Sequence, residues 1–105
     1  MDAEALKGHL DLLLLATLQA QRAHGYAIAE LLRQSSGGAF DLPEGTLYPA
    51  LHRLEHAGLL TSKWSDESGR RRRVYQLTAK GQRRLSSKQQ AWRQFARAVH
   101  AVVET

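Results

Sequence analysis

DLPEGTLYPALHRLEHAGLL, residues 41–60, is the stretch that decides the fold of this chain. Its apolar residues recur at helical spacing, which predicts a helix with one buried stripe formed by Leu47, Ala50, Leu51 and Leu54. Pro43 is typical of a first helical turn, and Gly58 is typical of the left-handed residue that ends a helix. Pro49 predicts that the regular helix either begins late, near Thr46, or kinks at the proline.

The opposite side of this predicted helix, which we place within Leu42–Leu60, is polar, carries hydrogen-bond donors and lacks acidic residues. At about 100° per residue this side consists of Gly45, Thr46, Pro49, His52, Arg53 and His56. Glu44 and Glu55 lie towards its edges. We interpret this helix as the element that carries the specific work of the protein.

Composition sets the outer limits of the fold. The chain has 105 residues, enough for one small domain with a modest core, and its 43% apolar content argues against disorder. It has no cysteine, which excludes disulfides, thiolate chemistry and Cys-ligated zinc. The longest apolar run, Leu12–Ala16, is too short to cross a membrane, and the acidic residues around it differ from the basic start of a signal peptide. We therefore expect a cytoplasmic protein without a membrane partner.

Charge is distributed unevenly along the chain. Residues 1–58 hold seven acidic and four basic residues, a net charge of −3, whereas residues 59–105 hold three acidic and eleven basic residues, a net charge of +8. Four of these bases are consecutive, Arg70–Arg73. A positive region in one part of a small domain favours a polyanionic partner, although a solvated run of charges explains it equally well.

The N-terminal segment, residues 4–21, has the pattern of a helix whose main apolar stripe is Leu6, Leu10, Leu13, Leu14 and Leu18. Leu12 and Leu15 fall elsewhere on the helix, and a helix that is apolar nearly all round is buried on more than one side. We expect this second side to meet another subunit. The alternative is that the chain's own C-terminal helix covers it.

After a polar break at Gln21–His24, a second helix is predicted from Gly25 to about Ser35, with the apolar set Tyr26, Ile28, Leu31 and Leu32. Turn residues 35–38, SSGG, end it. Two short helices separated by such a turn, the second with a polar outer face, fit a helix-turn-helix. The long connection suits the winged variant.

Two strands follow, over Leu59–Trp64 and Arg73–Leu77, separated by the turn cluster of residues 65–69. They predict a two-stranded hairpin, the wing, with basic residues at its tip and on the returning strand. Because an isolated hairpin is marginal in water, it must pack against the helices, and we expect the contacts to be Trp64, Val74 and Leu77.

The last predicted helix begins after Thr78, a plausible N-cap, and runs to about Val103. Its apolar residues follow a heptad-like seam that predicts a homodimer contact through Leu85, Trp92, Phe95, Val99 and Val102, with Leu12 and Leu15 of the first helix. The element order therefore predicts a mostly α fold with a small β-hairpin. We divide it into a winged helix-turn-helix, residues 1–77, and a long C-terminal dimerisation helix, residues 78–105.

This fold predicts a double-stranded DNA partner. In the major groove we place Thr46, Tyr48, Pro49, His52 and Arg53. The fork of Arg53 suits guanine unless it turns back to Glu55 or to a phosphate. On the wing, we expect contacts to phosphates or to the minor groove from Lys63, Arg70, Arg71, Arg72 and Arg73. Tyr26 either touches the DNA backbone or is a core residue, and a twofold dimer would prefer an inverted repeat with half-sites roughly 34 Å apart.

Three motifs resemble the PadR family of transcriptional regulators: GTLYPALHRLE at residues 45–55, YQLTAKG at residues 75–81 and HGY at residues 24–26. The single C-terminal helix resembles the small-subunit branch of the family, and residues 64–68 and Trp92 resemble its multidrug-sensing members. The resemblance implies a winged-helix dimer that represses transcription and leaves its operator on sensing a small molecule or stress signal.

Trp92 suggests an effector site. An indole on a dimer seam beside Leu12, Ala16 and Ala96 could clasp a planar aromatic ligand together with its symmetry mate. The resemblance to multidrug-sensing members also implies such a pocket. The alternative is that Trp92 is only a large hydrophobic anchor of the interface, as tryptophans at seams usually are.

The sequence gives little support for other classes of function. Phosphate-loop, nucleophile-elbow and paired-carboxylate motifs are absent, so we expect neither an enzyme nor a cofactor. His52 and His56 have the spacing of metal ligands but lack a third ligand, so we expect no metal site. RNA binding is disfavoured because exposed aromatic residues are scarce. The competing hypothesis is a winged-helix module that docks a protein without sequence-specific DNA binding.

Overall fold

The computed structural model describes residues 3–67 and 69–105, so the predicted turn residue Ser68 and the first two residues lie outside it. The elements are α1 (Ala3–Ala20), β1 (Ala23–His24), α2 (Gly25–Ser35), α3 (Glu44–His56), β2 (Leu60–Ser65), β3 (Arg72–Leu77) and α4 (Ala79–Val103). This order confirms the predicted mostly α, winged-helix fold with a long last helix. Within the described ranges, no helix is both long and apolar enough to span a lipid bilayer.

The sheet has three antiparallel strands in the order β1-β3-β2, which corrects the predicted two-stranded hairpin. The extra strand is Ala23–His24, where we predicted a polar break, and Ala23 pairs with Tyr75. A two-residue strand has no periodicity to detect in a sequence, and its pairing depends on the backbone of β3. The hairpin itself runs in register from Leu60 opposite Leu77 to Trp64 opposite Arg73.

The predicted stripe of α3 is buried as expected: Leu47, Ala50, Leu51 and Leu54 all lie in the core. Pro43 is the N-cap rather than part of the first turn, and its carbonyl accepts the N–H groups of Thr46 and Leu47 at 3.0 Å. The helix therefore begins at Glu44, and the predicted late start is wrong. Gly58 has a φ of 81° and follows the helix as predicted.

Two of the predicted dimer residues lie instead in the core of the single chain. Leu15 and Leu85 are completely buried, and α1 packs against α4. Leu15 is therefore covered within its own chain, in the same core cluster as Leu85 of α4. The spacing of apolar residues shows that a side chain avoids water, but it cannot show which chain covers it.

The start of α4 is fixed to the end of α3. The hydroxyl of Thr78 accepts the N–H of Gly81 at 2.9 Å and donates to the carbonyl of Gly58 at 2.7 Å, so the predicted N-cap also joins two elements. Gly81 is buried there, and a Cβ at this position would overlap the carbonyl oxygen of Leu59. These contacts hold the wing and the two helices as one unit.

Candidate nucleic-acid interface

The outer face of α3 is exposed over its whole length. Its residues are Gly45, Thr46, Pro49, His52, Arg53 and His56. The buried stripe on the other side fixes the rotation of the helix, so these groups are directed away from the core. The acid-free set of donors predicted from the sequence is therefore a surface, which we call the α3 face.

Tyr48 does not belong to the α3 face, contrary to the prediction. It is half-buried and packs against the core. A Cβ on Gly25 would lie 2.5 Å from both Cε1 and the hydroxyl oxygen of Tyr48, so this side chain lies directly against the first residue of α2. Tyr48 joins the two helices of the helix-turn-helix, and only part of its side chain remains exposed.

Arg53 lies on the α3 face, but its fork is already occupied. Its Nη1 donates to Asp11 Oδ2 at 3.0 Å and its Nη2 donates to Asp11 Oδ1 at 2.7 Å, which ties α3 to α1. Hydrogen bonding to Arg53 holds the pKa of Asp11 below its ordinary value of 3.8, against the opposing effect of burial. In this conformation the fork is therefore turned back, although to Asp11 and not to Glu55 or a phosphate, and it is not aimed outward at a base. The Arg53 side chain is nevertheless 57% exposed, because Asp11 engages only one edge of the guanidinium.

The structure divides the five basic residues of the wing into two groups. Lys63, Arg70 and Arg71 are exposed. Arg72 and Arg73 are half-buried and engaged by protein groups, which narrows the predicted set of phosphate contacts.

Arg73 and Arg72 connect the wing to the helices on either side. Arg73 donates to Ser62 Oγ at 2.7 Å and lies 3.6 Å from Glu55 of α3, and Ser62 donates to the same carboxylate at 2.6 Å. Arg72 Nη1 lies 2.7 Å from Nε2 of His24, the residue before α2. The wing is thus held at a fixed position beside the α3 face.

His24 meets a donor at each ring nitrogen. Its Nδ1 faces the N–H of Ala27 at 3.3 Å, and its Nε2 faces Arg72, which can only donate. A neutral imidazole accepts at one nitrogen only, so the ring satisfies one of these donors at a time. Burial, and to a smaller extent the Arg72 charge, lowers the pKa of His24 below its ordinary 6.5.

Tyr26 is exposed, which rules out the interpretation that it is a core residue. Its side chain is 72% accessible at the start of α2, and its ring stacks at 6.5 Å on His24. It is therefore free to meet a ligand on this side of the helix-turn-helix.

A groove of about 240 Å³ lies between α1 and α4, lined by Gly8, His9, Leu12, Lys88, Ala91, Trp92 and Phe95. The imidazole of His9 meets the Trp92 ring edge-on at 5.0 Å, a contact that we did not anticipate because His9 stands alone in the sequence. Ala96 lines an adjoining groove of about 250 Å³ that shares Trp92 and Phe95.

Contrary to the prediction, Ala16 does not lie beside Trp92. It faces a separate groove of about 380 Å³ between α1 and α2, together with Leu13 and Phe40. The two sites diverge because residues four apart on α1 contact different elements: Leu12 lies next to α4, and Ala16 lies next to α2.

The second half of α4 presents an uncovered apolar face. Phe95 is 58% exposed and Val102 is 78% exposed, and the same face carries Trp92, Val99 and Val103. These include all the α4 residues of the predicted dimer seam except Leu85, whose side chain is buried in the core.

These features together define a winged-helix transcriptional regulator: a helix-turn-helix with an exposed, acid-free second helix and a basic wing fixed beside it. The chain belongs to the PadR-like family of transcriptional regulators, whose family model matches residues 14–87. Members of this family are regulators that bind DNA, and not enzymes.

Individual relatives agree with this assignment. A transcriptional regulator of Mycobacterium tuberculosis is 42% identical over 71 residues, which cover 68% of this chain and 66% of that protein. A solved transcriptional regulator from Clostridium thermocellum has a TM-score of 0.87 at 27% identity and covers 96% of this chain and 99% of its own. A PadR family transcription regulator from Clostridium difficile has a TM-score of 0.77 at 36% identity and covers 92% of this chain and 99% of its own.

Proposed function

We propose that this protein is a homodimeric, sequence-specific DNA-binding repressor that a small-molecule signal releases from its operator. The observation that carries the proposal is the exposed α3 face beside the exposed wing bases. Family membership supports the regulatory role, and repression is the direction that the resemblance to PadR regulators implies. A DNA partner also supports a cytoplasmic location.

Base recognition falls to the donors of the α3 face. Thr46 and His52 are exposed there and can donate to base edges in the major groove, and Pro49 offers an apolar contact. Gly45, in the first turn, can present its backbone N–H to a phosphate. Arg53 donates two of its five N–H groups to Asp11, so three can reach a phosphate without breaking that pair.

Phosphate binding falls mainly to the wing. Lys63, Arg70 and Arg71 are exposed, and Arg73 keeps the hairpin at α3 through Ser62. Contacts of this kind position a protein on the duplex without reading its sequence. Tyr26 at the start of α2 is the further candidate for a backbone contact.

Homodimer formation would cover the apolar face of α4. A monomer would leave Trp92, Phe95, Val99 and Val102 in water, at a cost of about 25 cal/mol for each Å² that a partner could bury. A twofold dimer of this kind would place two α3 faces roughly 34 Å apart and favour an inverted repeat. Leu12, half-buried next to Trp92, lies at the edge of the same surface.

The dimer is tested by sedimentation velocity on two α4 variants. Phe95→Glu places a charge on the exposed apolar face and should yield monomers. Gln94→Glu adds the same charge at the neighbouring exposed position and should leave the dimer intact. Dimers of both variants at the same concentrations would reject this face as the interface.

An effector would bind the groove at Trp92. Planar aromatic molecules suit the indole edge, Leu12 and Phe95, and Ala96 leaves room beside them. Titration with planar cationic dyes should quench Trp92 fluorescence, and the quenching should disappear in Trp92→Phe, where only Trp64 emits. Quenching that survives this substitution would place the dye elsewhere.

DNA binding is tested by fluorescence anisotropy of a labelled duplex over a range of salt concentrations. We expect log K to fall linearly with log salt, and unlabelled operator DNA to compete better than random DNA. Salt-insensitive or absent duplex binding by the unliganded dimer would favour the alternative, a winged-helix module that docks a protein.

A further inference from the structure

Trp64 is a large aromatic residue on the most basic part of the molecule. It lies on β2, and 55% of its side chain is exposed. We predicted that it anchors the wing to the helices, but Leu60 and Tyr75 form the buried part of the hairpin instead. Burying an indole stabilises a protein strongly, so a half-exposed tryptophan often marks a surface that meets a partner.

The alternation of side chains along β2 places Trp64 on the side of the wing that faces α3. Leu60, Ser62 and Trp64 share one face of β2, because side chains alternate along a strand. Leu60 is buried, and Ser62 donates to Glu55 of α3 at 2.6 Å. Trp64 is the next residue outward on this face, about 6.6 Å further along the strand. A ligand that spans the α3 face and the wing would therefore reach its ring.

Two guanidinium groups flank the indole. The Arg71 guanidinium lies 4.7 Å from the Trp64 ring centroid, and the Arg73 guanidinium lies 5.4 Å from it. Arg73 is held in place by Ser62 and Glu55, so the position of the ring is supported from the α3 side. These cation–π contacts orient the ring while half of it stays open to solvent.

The chemistry of this cluster fits one kind of partner. An apolar ring bordered by cations complements a surface that alternates apolar and anionic groups. The deoxyribose-phosphate backbone is such a surface, since each sugar is apolar on its exposed edge and is flanked by phosphates. A purely apolar protein surface would desolvate both guanidinium groups and would offer Arg71 no anionic partner.

We propose that Trp64 is a DNA-contacting residue of the wing, whose ring packs on deoxyribose in the wall of the minor groove while Arg71 reaches the adjacent phosphate. The proposal rests on the DNA binding put forward under the proposed function. It adds an uncharged contact to a surface that otherwise binds through charge.

The first test follows Trp64 itself in Trp92→Phe, where it is the only tryptophan. A labelled duplex of about three helical turns reports binding by anisotropy, and acrylamide quenching reports the accessibility of Trp64. We expect the quenching constant to fall at least twofold when the duplex is saturated. Binding with unchanged accessibility would overturn the role of Trp64 while leaving DNA binding established. Absence of duplex binding by the wild-type protein as well as by Trp92→Phe would overturn both.

The second test separates the ring from the charges around it. Trp64→Ala should weaken duplex binding about five- to tenfold and leave the slope of log K against log salt unchanged, because it removes no charge. Arg71→Ala should weaken binding and reduce the magnitude of that slope by about 1. Trp64→Phe should recover most of the affinity.

Thermal unfolding of each variant controls for structure, and both Trp64 variants should unfold within a few degrees of the wild type. A slope in Trp64→Ala that falls as it does in Arg71→Ala would show that the ring acts only by placing the arginine. An unchanged affinity in a folded Trp64→Ala would likewise refute the contact.

Discussion

The ion pair between Asp11 and Arg53 gives the sharpest test of what fixes the α3 face in position. It joins α1 to α3 through two hydrogen bonds, of 2.7 and 3.0 Å. Ion pairs at exposed positions contribute about 0.2–1 kcal/mol, and a bidentate pair between two helices belongs at the upper end of that range. We therefore expect Asp11→Asn to lower the free energy of unfolding by about 1 kcal/mol, which corresponds to about 4–8 °C in the melting temperature of a domain this size.

The assay is denaturant unfolding at fixed protein concentration, arranged as a double-mutant cycle with Arg53→Gln. We expect the two single changes to cost similar amounts, and the double variant to cost clearly less than their sum. Glu30→Gln is the matched control, since it also removes a carboxylate from an arginine pair, but within the exposed turn of α2 that holds Arg33. Its effect should be smaller, because it joins no two elements. Additive losses, with a coupling below about 0.3 kcal/mol, would refute the pair.

The pH dependence of stability tests the Asp11–Arg53 pair independently. The folded-state pKa of Asp11 lies below its ordinary value of 3.8. The pair should therefore stabilise the fold fully above pH 3.8, and this contribution should be lost as the pH falls through the lowered pKa. The difference between the wild type and Asp11→Asn should shrink over that interval. A difference that persists at still lower pH would show that Asp11 acts through packing and not through its charge.

The same variant also reports on DNA. Asp11→Asn removes a negative charge near the α3 face and frees the fork of Arg53. We expect affinity for random duplexes to rise and the salt slope to steepen by no more than about 1. Unchanged random-duplex affinity in a variant that has lost the pair would show that Arg53 makes no contact with DNA.

Three further outcomes follow from particular side chains. His52→Ala should reduce discrimination between operator and random DNA, whereas Arg71→Ala should weaken both equally, measured by competition anisotropy. Gly81→Ala should lower the free energy of unfolding by about 1–3 kcal/mol, because its Cβ would overlap a backbone carbonyl. Gly8→Ala, which has open space around its Cβ, should be neutral or slightly stabilising. Since the folded pKa of His24 is depressed, the unfolded chain takes up its proton first, so stability should fall as the pH drops below 6.5, and His24→Gln should reduce this slope.

The elements that the sequence predicted well are those with a local cause. The buried stripe of α3 follows from 3.6-residue periodicity, the cap at Thr78 from its hydroxyl, and the end of α3 from the freedom of Gly58. The GTLYPALHRLE motif at residues 45–55 also carried the family assignment, which the match over residues 14–87 confirms.

Features that depend on tertiary contacts could not be predicted in this way. Asp11 and Arg53 are 42 positions apart, so no local pattern relates them. Leu85 fits the apolar seam of α4 by spacing, yet the helix turns it into the core of its own chain. Tyr48 is next to the α3 face in sequence, but the absence of a side chain at Gly25 makes room for its ring.

The most direct test of the central claim is selection of bound duplexes from a random pool by the unliganded protein at roughly physiological salt, where non-specific binding is weakened. We predict enrichment of an inverted repeat whose half-sites are about one helical turn apart, roughly 34 Å, as two α3 faces of a twofold dimer require. Binding without enrichment would reduce α3 to a general DNA clamp and contradict sequence-specific regulation, and a complete absence of binding would contradict the DNA-binding function proposed for this chain.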